Sequence, residues 1–202
     1  MVRVIYLNGA SSAGKSSIAR ALHEQLEDLY LDVPLDVFLW MVPPHGWERE
    51  GGAIMTPPQD EHGLLVEFGP LCQSLFSGFH RSLGALASSG NNLIVDDVLL
   101  ERHWLSEAVE ALAAHEVCFV GVRCPVNIAE ERERARDDRI VGTARGQFDQ
   151  VHAHGVYDVE VDTSKLAPEA CAERILKTQQ HMPLLSAFER LRGSKGGTQQ
   201  DD

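Results

Sequence analysis

Apolar and polar residues follow two different periods along the chain. Short, unbroken apolar runs occupy residues 2–7, 93–95, 117–122 and 159–161. Between them lie longer segments in which apolar residues recur every three or four positions, the spacing of a helix with one buried face. Unbroken runs are typical of strands that are buried on both faces. The pattern therefore predicts an α/β fold in which helices cover a parallel sheet.

The same pattern predicts the remaining elements. A fifth strand is expected at 30–35, where Pro34 lacks a backbone donor and so favours a sheet edge or a strand end. The segment 43–63 is rich in proline, glycine and charge and predicts a long loop. From residue 183 the chain turns polar, which predicts a flexible tail at 183–202 after a single domain at 1–182. Helices are expected near 15–26, 70–87, 101–113, 127–136, 143–153 and 168–179.

The composition restricts the classes of partner. The chain of 202 residues has 18 Lys and Arg against 30 Asp and Glu, which gives a formal net charge of −12. This balance argues against a broad nucleic-acid-binding face, because such a face needs clustered cations. No apolar run is long enough for a membrane span or a secretory signal. We therefore expect a cytoplasmic protein without nucleic-acid or membrane partners, and we expect its four cysteines to be reduced.

A glycine-rich loop directly follows the first apolar run. Residues 9–16 read G-A-S-S-A-G-K-S and match the phosphate-binding pattern G-x-x-x-x-G-K-[ST] between a predicted strand and a predicted helix. The backbone N–H groups of such a loop and the positive end of the helix converge on one phosphate group. The alternative is an ordinary Gly-Ser turn. The residues expected to contact a nucleotide are Gly9, Ala10, Ser11, Ser12, Ala13, Gly14, Lys15, Ser16 and Ser17.

Two adjacent carboxylates end the apolar run at 93–95. Asp96 and Asp97 occupy the position of the acid that holds Mg²⁺, directly or through water, in proteins with a phosphate loop. Ser16 is expected to bind the same ion, and Lys15 to reach the terminal phosphates. The sequence leaves open which of the two acids contacts the metal. One of them could also cap the next helix.

A third carboxylate, Asp36, ends the predicted strand at 30–35. Beside the phosphate loop it would accept the proton that a substrate hydroxyl loses during phosphoryl transfer. The alternative is that Asp36 caps a short helix beginning at Val37, and position alone favours neither. If Asp36 is the base, the protein is a kinase that acts on an alcohol, with ATP and Mg²⁺ as cofactors.

Three arginines recur at helical spacing in the charged segment after the fourth strand. Arg132, Arg136 and Arg139 stand at i, i+4 and i+7, which predicts a single stripe on one helix. Arginines on a mobile lid can neutralise the charge on a transferring phosphoryl group. The alternative is a solvated helix with ordinary ion pairs, such as Glu130 with Arg134.

Aromatic residues and histidines supply further candidates. Most of the aromatic residues between Asp36 and Asp96 are expected in the core, and one or two are expected to line an acceptor pocket. They are Trp40, Trp47, Phe68, Phe76 and Phe79. His152 and His154 have no third ligand nearby at a suitable spacing, so a zinc site is not expected.

These residues together resemble the chloramphenicol phosphotransferases, which are antibiotic-modifying kinases with an adenylate-kinase-like P-loop fold. The similarity lies in the blocks 6–16, 94–98, 119–124, 138–142 and 151–163. The resemblance implies a three-layer P-loop kinase fold with a parallel five-stranded sheet. It also implies an arginine-bearing lid at about 132–147 and a variable acceptor-binding region at about 38–92.

The resemblance further implies a reaction and assigns residues to it. It implies transfer of the ATP γ-phosphate to a primary hydroxyl of chloramphenicol or a similar small molecule, and hence a role in antibiotic resistance. Asp36 matches the aspartate proposed as the base in this family, and Arg132, Arg136 and Arg139 match family arginines. With Lys15, these residues form the predicted catalytic set.

Two other functions remain open at this point. The first is a P-loop kinase for another acceptor, such as a nucleotide, a sugar acid or a nucleotide sugar. The second is a nucleotide-binding switch that hydrolyses slowly and signals by its shape. The chain lacks the Asn-Lys-x-Asp sequence that reads guanine, and a switch would need neither a base nor an arginine lid. The sequence therefore favours a small-molecule kinase.

Overall fold

A parallel sheet forms the centre of the molecule. The computed structural model describes residues 2–47, 52–56, 63–137 and 140–193. In chain order, the strands among these residues are β1 (Arg3–Asn8), β2 (Tyr30–Pro34), β3 (Ala53–Thr56), β4 (Leu65–Phe68), β5 (Asn92–Asp97), β6 (Glu116–Arg123) and β7 (Val159–Asp162). Five of these strands pair in parallel in the order β2-β5-β1-β6-β7. The predicted five-stranded parallel sheet is confirmed, and Pro34 lies in an edge strand.

Helices cover both faces of this sheet. In chain order they are α1 (Lys15–Gln25), α2 (Leu35–Trp40), α3 (Pro44–Trp47), α4 (Pro70–Ser88), α5 (Arg102–Ala111), α6 (Val126–Arg134), α7 (Thr143–Phe148), α8 (Pro168–Gln180) and α9 (Ala187–Gly193). Ile18 of α1 and Ile175 of α8 are buried against one face of the sheet. Phe79 of α4, Trp104 of α5 and Phe188 of α9 are buried against the other. The resulting three layers are those of the predicted α/β class.

The structure corrects the prediction of a long loop at 43–63. Within that segment, α3 forms a single helical turn, and β3 pairs antiparallel with β4 in a separate two-stranded sheet. A four-residue strand shows too little alternation to be recognised from its sequence, and its partner lies beyond Gly63. Residues 48–51 and 57–62 lie outside the described part of the chain.

The expected flexible tail is wrong for residues 187–193. These residues form α9, in which Ala187 is 0% and Phe188 5% exposed. Phe188 packs against the rings of Tyr6 and Phe119, and Ala187 N donates to Asp158 Oδ1. Buried apolar side chains and backbone hydrogen bonds therefore anchor this otherwise polar segment. Residues 194–202 lie outside the described residues.

Two further observations concern expectations from composition. All four cysteines are buried and free, as expected of a reduced protein; they are Cys72, Cys118, Cys124 and Cys171. Among the described residues, the helices are all too short or too polar to cross a lipid bilayer.

Candidate active site

The phosphate loop joins β1 to α1 at the middle of the sheet. β2 and β5 lie on one side of β1, and β6 and β7 on the other, so the loop stands where the strand order reverses. Ser12 has φ 58° and Gly14 has φ 97°, and this left-handed backbone turns the chain into α1 at Lys15. Ser12 Oγ is buried and has no hydrogen-bond partner in the part of the chain that the structure describes. A phosphate oxygen would supply that partner, so the loop fits the nucleotide that the sequence predicts.

Lys15 is folded against the loop that precedes it. Its Nζ atom donates to Gly9 O at 2.8 Å and Ala10 O at 3.0 Å, and it lies 3.5 Å from Asp96 Oδ1. The Lys15 side chain is only 7% exposed. A buried ammonium group next to the amides at a helix start creates a local positive site in a chain whose net charge is negative.

Asp96 lies beside the phosphate loop. Asp96 Oδ2 accepts a hydrogen bond from Ser16 Oγ at 2.9 Å, and Asp96 Oδ1 faces Lys15. The serine hydroxyl and the carboxylate therefore stand together, and oxygen atoms of this kind are the ligands that Mg²⁺ prefers. The donor set fits the predicted metal at this position.

Asp97 is buried and belongs to a different hydrogen-bond network. It accepts hydrogen bonds from Tyr6 OH, from His80 Nε2 at 3.2 Å and from Val98 N at 2.7 Å. His80 Nδ1 in turn faces Glu107 Oε2 at 3.3 Å. Burial alone would lower the pKa of His80, but the hydrogen bonds and charges of Asp97 and Glu107 raise it above its ordinary value. Asp97 is thus held away from the loop, and the N-cap position of α5 belongs to Glu101.

Asp36 lies in the first turn of α2 rather than at the end of a strand. β2 ends at Pro34, one residue before the predicted end of the strand, and α2 begins at Leu35, two residues before the helix considered at Val37. The capping alternative is also wrong, because Pro34 holds the N-cap position and no side chain caps the helix. Proline fits this junction because its extended backbone (ψ 141°) suits both the strand and the N-cap.

Asp36 and Lys15 line one cavity of about 430 Å³. This acceptor cavity, as we name it, is bounded by α2, β4, α4, the phosphate loop and α7. Its walls are largely apolar, and its described aromatic residues are Trp40, Trp47, Phe68, Phe76 and Trp104. Phe79, by contrast, is fully buried in the core. The other polar groups that line it are Ser11, Thr143 and Gln147. An apolar cavity with a few polar groups is typical of small-molecule sites.

A second cavity, of about 420 Å³, lies on the other side of the loop. This nucleotide cavity is lined by residues 14–18 of the loop and α1, by Arg132 and Arg136, and by the segment after β7. Arg132 donates to Thr163 Oγ1 at 3.0 Å and Thr163 O at 2.8 Å, and Thr163 Oγ1 donates to Ala13 O at 2.7 Å. Among the described residues, Lys15 is the one that lines both cavities.

The three lid arginines do not form one helical stripe. α6 ends at Arg134, so Arg136 follows the helix, and Arg139 lies outside the described residues. The buried Glu133 carboxylate of α6 turns toward α7, where it accepts hydrogen bonds from Gly142 N at 2.7 Å and Ala144 N at 2.8 Å. Glu130 pairs with Arg145. Arg132 and Arg136 nevertheless line the same cavity.

The sequence did not identify Gln147 as a site residue. Gln147 Oε1 accepts a hydrogen bond from the phosphate-loop amide Ser11 N at 2.7 Å. Glutamine in a charged helical segment carries no chemical signature, so only the fold brings it to the loop. Thr163, which joins Arg132 to the loop, was missed because a single threonine after a strand carries no chemical signature either.

His152 and His154 lie in a hydrogen-bonded cluster at the end of β1. Both rings contact Tyr157 OH, and Asn8 Nδ2 lies 2.8 Å from the same oxygen. Burial, followed by the charge of Arg123, lowers the pKa of His152 to about 3 and that of His154 to about 4. Both imidazoles are therefore neutral at pH 7. Within the described part of the chain, the His, Cys, Asp and Glu residues form no group of three or more that could hold a metal ion.

Comparison with known proteins identifies the family. Residues 2–180 match the family described as "Chloramphenicol phosphotransferase-like protein". The chain belongs to this family. It is also 31% identical over 197 residues to a protein of Mycobacterium tuberculosis named "Putative O-phosphotransferase", with 94% of this chain and 88% of that protein covered. The predicted class of enzyme, a kinase with a hydroxyl acceptor, is thereby confirmed.

Solved structures of small-molecule kinases share the fold of this family member. The APS kinase of Mycobacterium tuberculosis in complex with AMPPNP and APS has a TM-score of 0.62 at 14% identity, with 89% of this chain and 98% of that chain covered. The shikimate kinase of Acinetobacter baumannii in complex with shikimate has a TM-score of 0.56 at 17% identity, with 91% and 96% covered. The predicted P-loop kinase fold is confirmed.

Proposed function

We propose that this protein transfers the γ-phosphate of ATP to a hydroxyl group of a small, largely apolar molecule. The observation that carries the proposal is the position of Lys15, which lines the nucleotide cavity and the acceptor cavity at once, while Asp36 lines the acceptor cavity. A phosphoryl group that is held by Lys15 would therefore lie next to the acceptor cavity and to the Asp36 carboxylate. The use of ATP is supported by the family and by the fold shared with a kinase in complex with AMPPNP.

The phosphate loop and the lid would hold the nucleotide. The loop amides and Lys15 bind the β- and γ-phosphates, while Arg132 and Arg136 approach from the lid side of the nucleotide cavity. Ser16 and Asp96, which share a hydrogen bond, would hold Mg²⁺, while Asp97 binds His80 on the other face of β5. When bound, Mg²⁺ neutralises charge on the phosphates. Arg136, with Arg139, stabilises the charge on the transferring group.

Asp36 would act as the general base. In the acceptor cavity it takes the proton from the hydroxyl that attacks the phosphorus atom, and Lys15 keeps the phosphoryl group in line with that hydroxyl. Phosphoryl transfer needs little covalent help, so positioning and charge supply most of the rate. A kinase of this kind would work where ATP is abundant, in the cytoplasm.

The walls of the acceptor cavity favour a neutral, aryl-bearing alcohol such as chloramphenicol. Five aromatic side chains face it, and Lys15 is the cation among the described lining residues. A nucleotide, a sugar acid or a nucleotide sugar would bury anionic groups that need additional cations. Phosphorylation of an antibiotic hydroxyl would make the protein a resistance enzyme.

Transfer assays with an Asp36→Asn variant test this proposal. The protein with MgATP is assayed against chloramphenicol, other hydroxylated antibiotics, nucleosides and sugars. We expect phosphorylation of an apolar alcohol, and a fall in kcat of about 10²- to 10⁴-fold in Asp36→Asn, because the base is lost while the shape is kept. MgATP affinity, measured by calorimetry, should not change.

Asp32→Asn is the matched control for this experiment. Asp32 is an exposed acid on β2 that lines neither cavity, so this variant should keep the wild-type rate. A full rate in Asp36→Asn would remove Asp36 from the mechanism. Failure of the wild-type protein to phosphorylate any alcohol of the panel would overturn the proposed function.

A further inference from the structure

Gln147 connects the phosphate loop to the acceptor cavity. Gln147 Oε1 accepts a hydrogen bond from Ser11 N at 2.7 Å, and both residues line the acceptor cavity together with Lys15 and Asp36. Ser11 is a residue of the phosphate loop itself. The Gln147 carboxamide therefore stands where the phosphoryl group and the acceptor hydroxyl would meet.

The orientation of this carboxamide follows from hydrogen-bond chemistry. A backbone N–H group can only donate, so the oxygen of the carboxamide must face Ser11 and the nitrogen must face away from it. Gln147 Nε2 has no hydrogen-bond partner among the described residues. The two Nε2 protons are thus available to a molecule in the acceptor cavity.

The helix that carries Gln147 is held in place at both of its ends. At its start, the Glu133 carboxylate, which is 1% exposed, accepts hydrogen bonds from Gly142 N and Ala144 N. Near its end, Gly146 packs so closely on Leu64 that an added Cβ atom would lie 1.9 Å from the Leu64 carbonyl oxygen. A donor on so fixed a support is preorganised for binding, which reduces the entropy lost when a ligand binds.

We propose that Gln147 is a specificity-determining residue for the acceptor, and that its Nε2 group donates a hydrogen bond to a second oxygen of the acceptor molecule. The substrate class is then an alcohol with an apolar body and a hydroxyl, carbonyl or ether oxygen close to the hydroxyl that Asp36 deprotonates. This inference rests on the proposed function, because it assigns the acceptor to the cavity that holds Asp36.

Two probe alcohols distinguish a hydrogen bond from Gln147 Nε2 from apolar binding in the acceptor cavity. The probes are 1-(2-naphthyl)-1,2-ethanediol, which carries a second oxygen next to its primary hydroxyl, and 2-(2-naphthyl)ethanol, which lacks it. Affinity is measured by calorimetry in the presence of MgAMPPNP, and transfer is measured with MgATP. We expect the wild-type protein to bind the diol about tenfold more tightly than the mono-alcohol, the effect of one hydrogen bond to a neutral donor.

Two substitutions of Gln147 test the donor directly. The Gln147→Leu variant should bind the diol and the mono-alcohol with about equal affinity, with little change in its affinity for the mono-alcohol. Gln147→Glu keeps an oxygen for Ser11 N and removes the donor, so it should lose the preference as well, and its added negative charge should weaken MgAMPPNP binding. Gln150→Ala, an exposed glutamine just after α7, is the matched control and should keep the wild-type preference.

The outcomes distinguish this inference from the proposed function. An unchanged preference for the diol in Gln147→Leu would overturn the inference even if both alcohols are phosphorylated. A preference that depends on Gln147, without any phosphoryl transfer, would support the inference and overturn the function. If the wild-type protein binds neither probe, or binds both equally, Gln147 does not select the acceptor in this way.

Discussion

At the scale of single residues, two adjacent aspartates have separate tasks because side chains of a strand alternate between its faces. Asp96 faces the phosphate loop, where it accepts a hydrogen bond from Ser16 and pairs with Lys15. Asp97 faces the core, where Tyr6 and His80 bind it. The same substitution in the two positions should therefore affect different properties of the protein.

We predict that Asp96→Asn abolishes transfer and that Asp97→Asn lowers stability. Asp97→Asn leaves His80 and Tyr6 without a buried carboxylate, which should cost about 3 kcal/mol of unfolding free energy. Asp96→Asn should leave the unfolding free energy within about 1 kcal/mol of the wild-type value, because this side chain lies beside the phosphate loop rather than in the core. Urea denaturation and a transfer assay measure both. Equal losses of stability in the two variants would contradict this division.

The sequence predicted residues of this site only where neighbours in the chain form a pattern with a direct chemical meaning. The phosphate loop, the acidic pair Asp96 and Asp97 and the buried strands were predictable, because glycine spacing and apolar runs have direct physical causes, but the sequence did not tell the two acids apart. Gln147 and Glu133 were not, because polar side chains in a helix are ordinary until the fold shows what they contact. Phe188 was not predicted as a core residue because the segment around it is polar.

At the scale of elements, α7 and the hairpin of β3 and β4 form a rigid contact at the edge of the acceptor cavity. Leu64 N donates to Gly142 O at 2.9 Å, and Gly146 leaves no space for a side chain against Leu64. Leu64, Thr143 and Gln147 all line the cavity. The shape of the cavity therefore depends on this backbone contact.

We predict that Gly146→Ala disturbs the acceptor cavity, whereas Gly78→Ala does not. The added methyl group of Gly146→Ala would meet a backbone carbonyl at 1.9 Å, so α7 must move, at a cost of about 1–3 kcal/mol. The KM for the acceptor should rise, with little change in the KM for ATP. Gly78 in α4 has open space around it, so Gly78→Ala should stabilise the helix by about 0.5–1 kcal/mol. An unchanged acceptor KM in Gly146→Ala would contradict this account.

At the scale of the whole molecule, stability should depend on pH through histidines that the fold keeps neutral. Burial, followed by the charge of Arg123, lowers the pKa of His152 to about 3 and that of His154 to about 4. Below their ordinary pKa of about 6.5 these imidazoles gain protons in the unfolded chain but not in the native protein. The unfolded state then binds more protons, so the unfolding free energy falls as the pH falls.

We predict that a His152→Gln, His154→Gln double variant is less sensitive to acid than the wild-type protein. Between about pH 6.5 and pH 4, its unfolding free energy should decrease less steeply, because neither glutamine takes up a proton in the unfolded chain. Urea denaturation at several pH values measures the two slopes. Parallel slopes would show that the histidines are not kept neutral by the fold.

The two cavities meet at Lys15 and at the neighbouring loop residues Ser11 and Ser12, and the rest of their described walls come from different stretches of the chain. Substitutions in walls of the acceptor cavity that lie away from the phosphate loop should therefore leave the affinity for ATP largely unchanged. A library of variants confined to those walls would test other alcohols as acceptors while the phosphoryl donor stays constant. The same separation would let the acceptor specificity change in small steps while the phosphoryl donor stays the same.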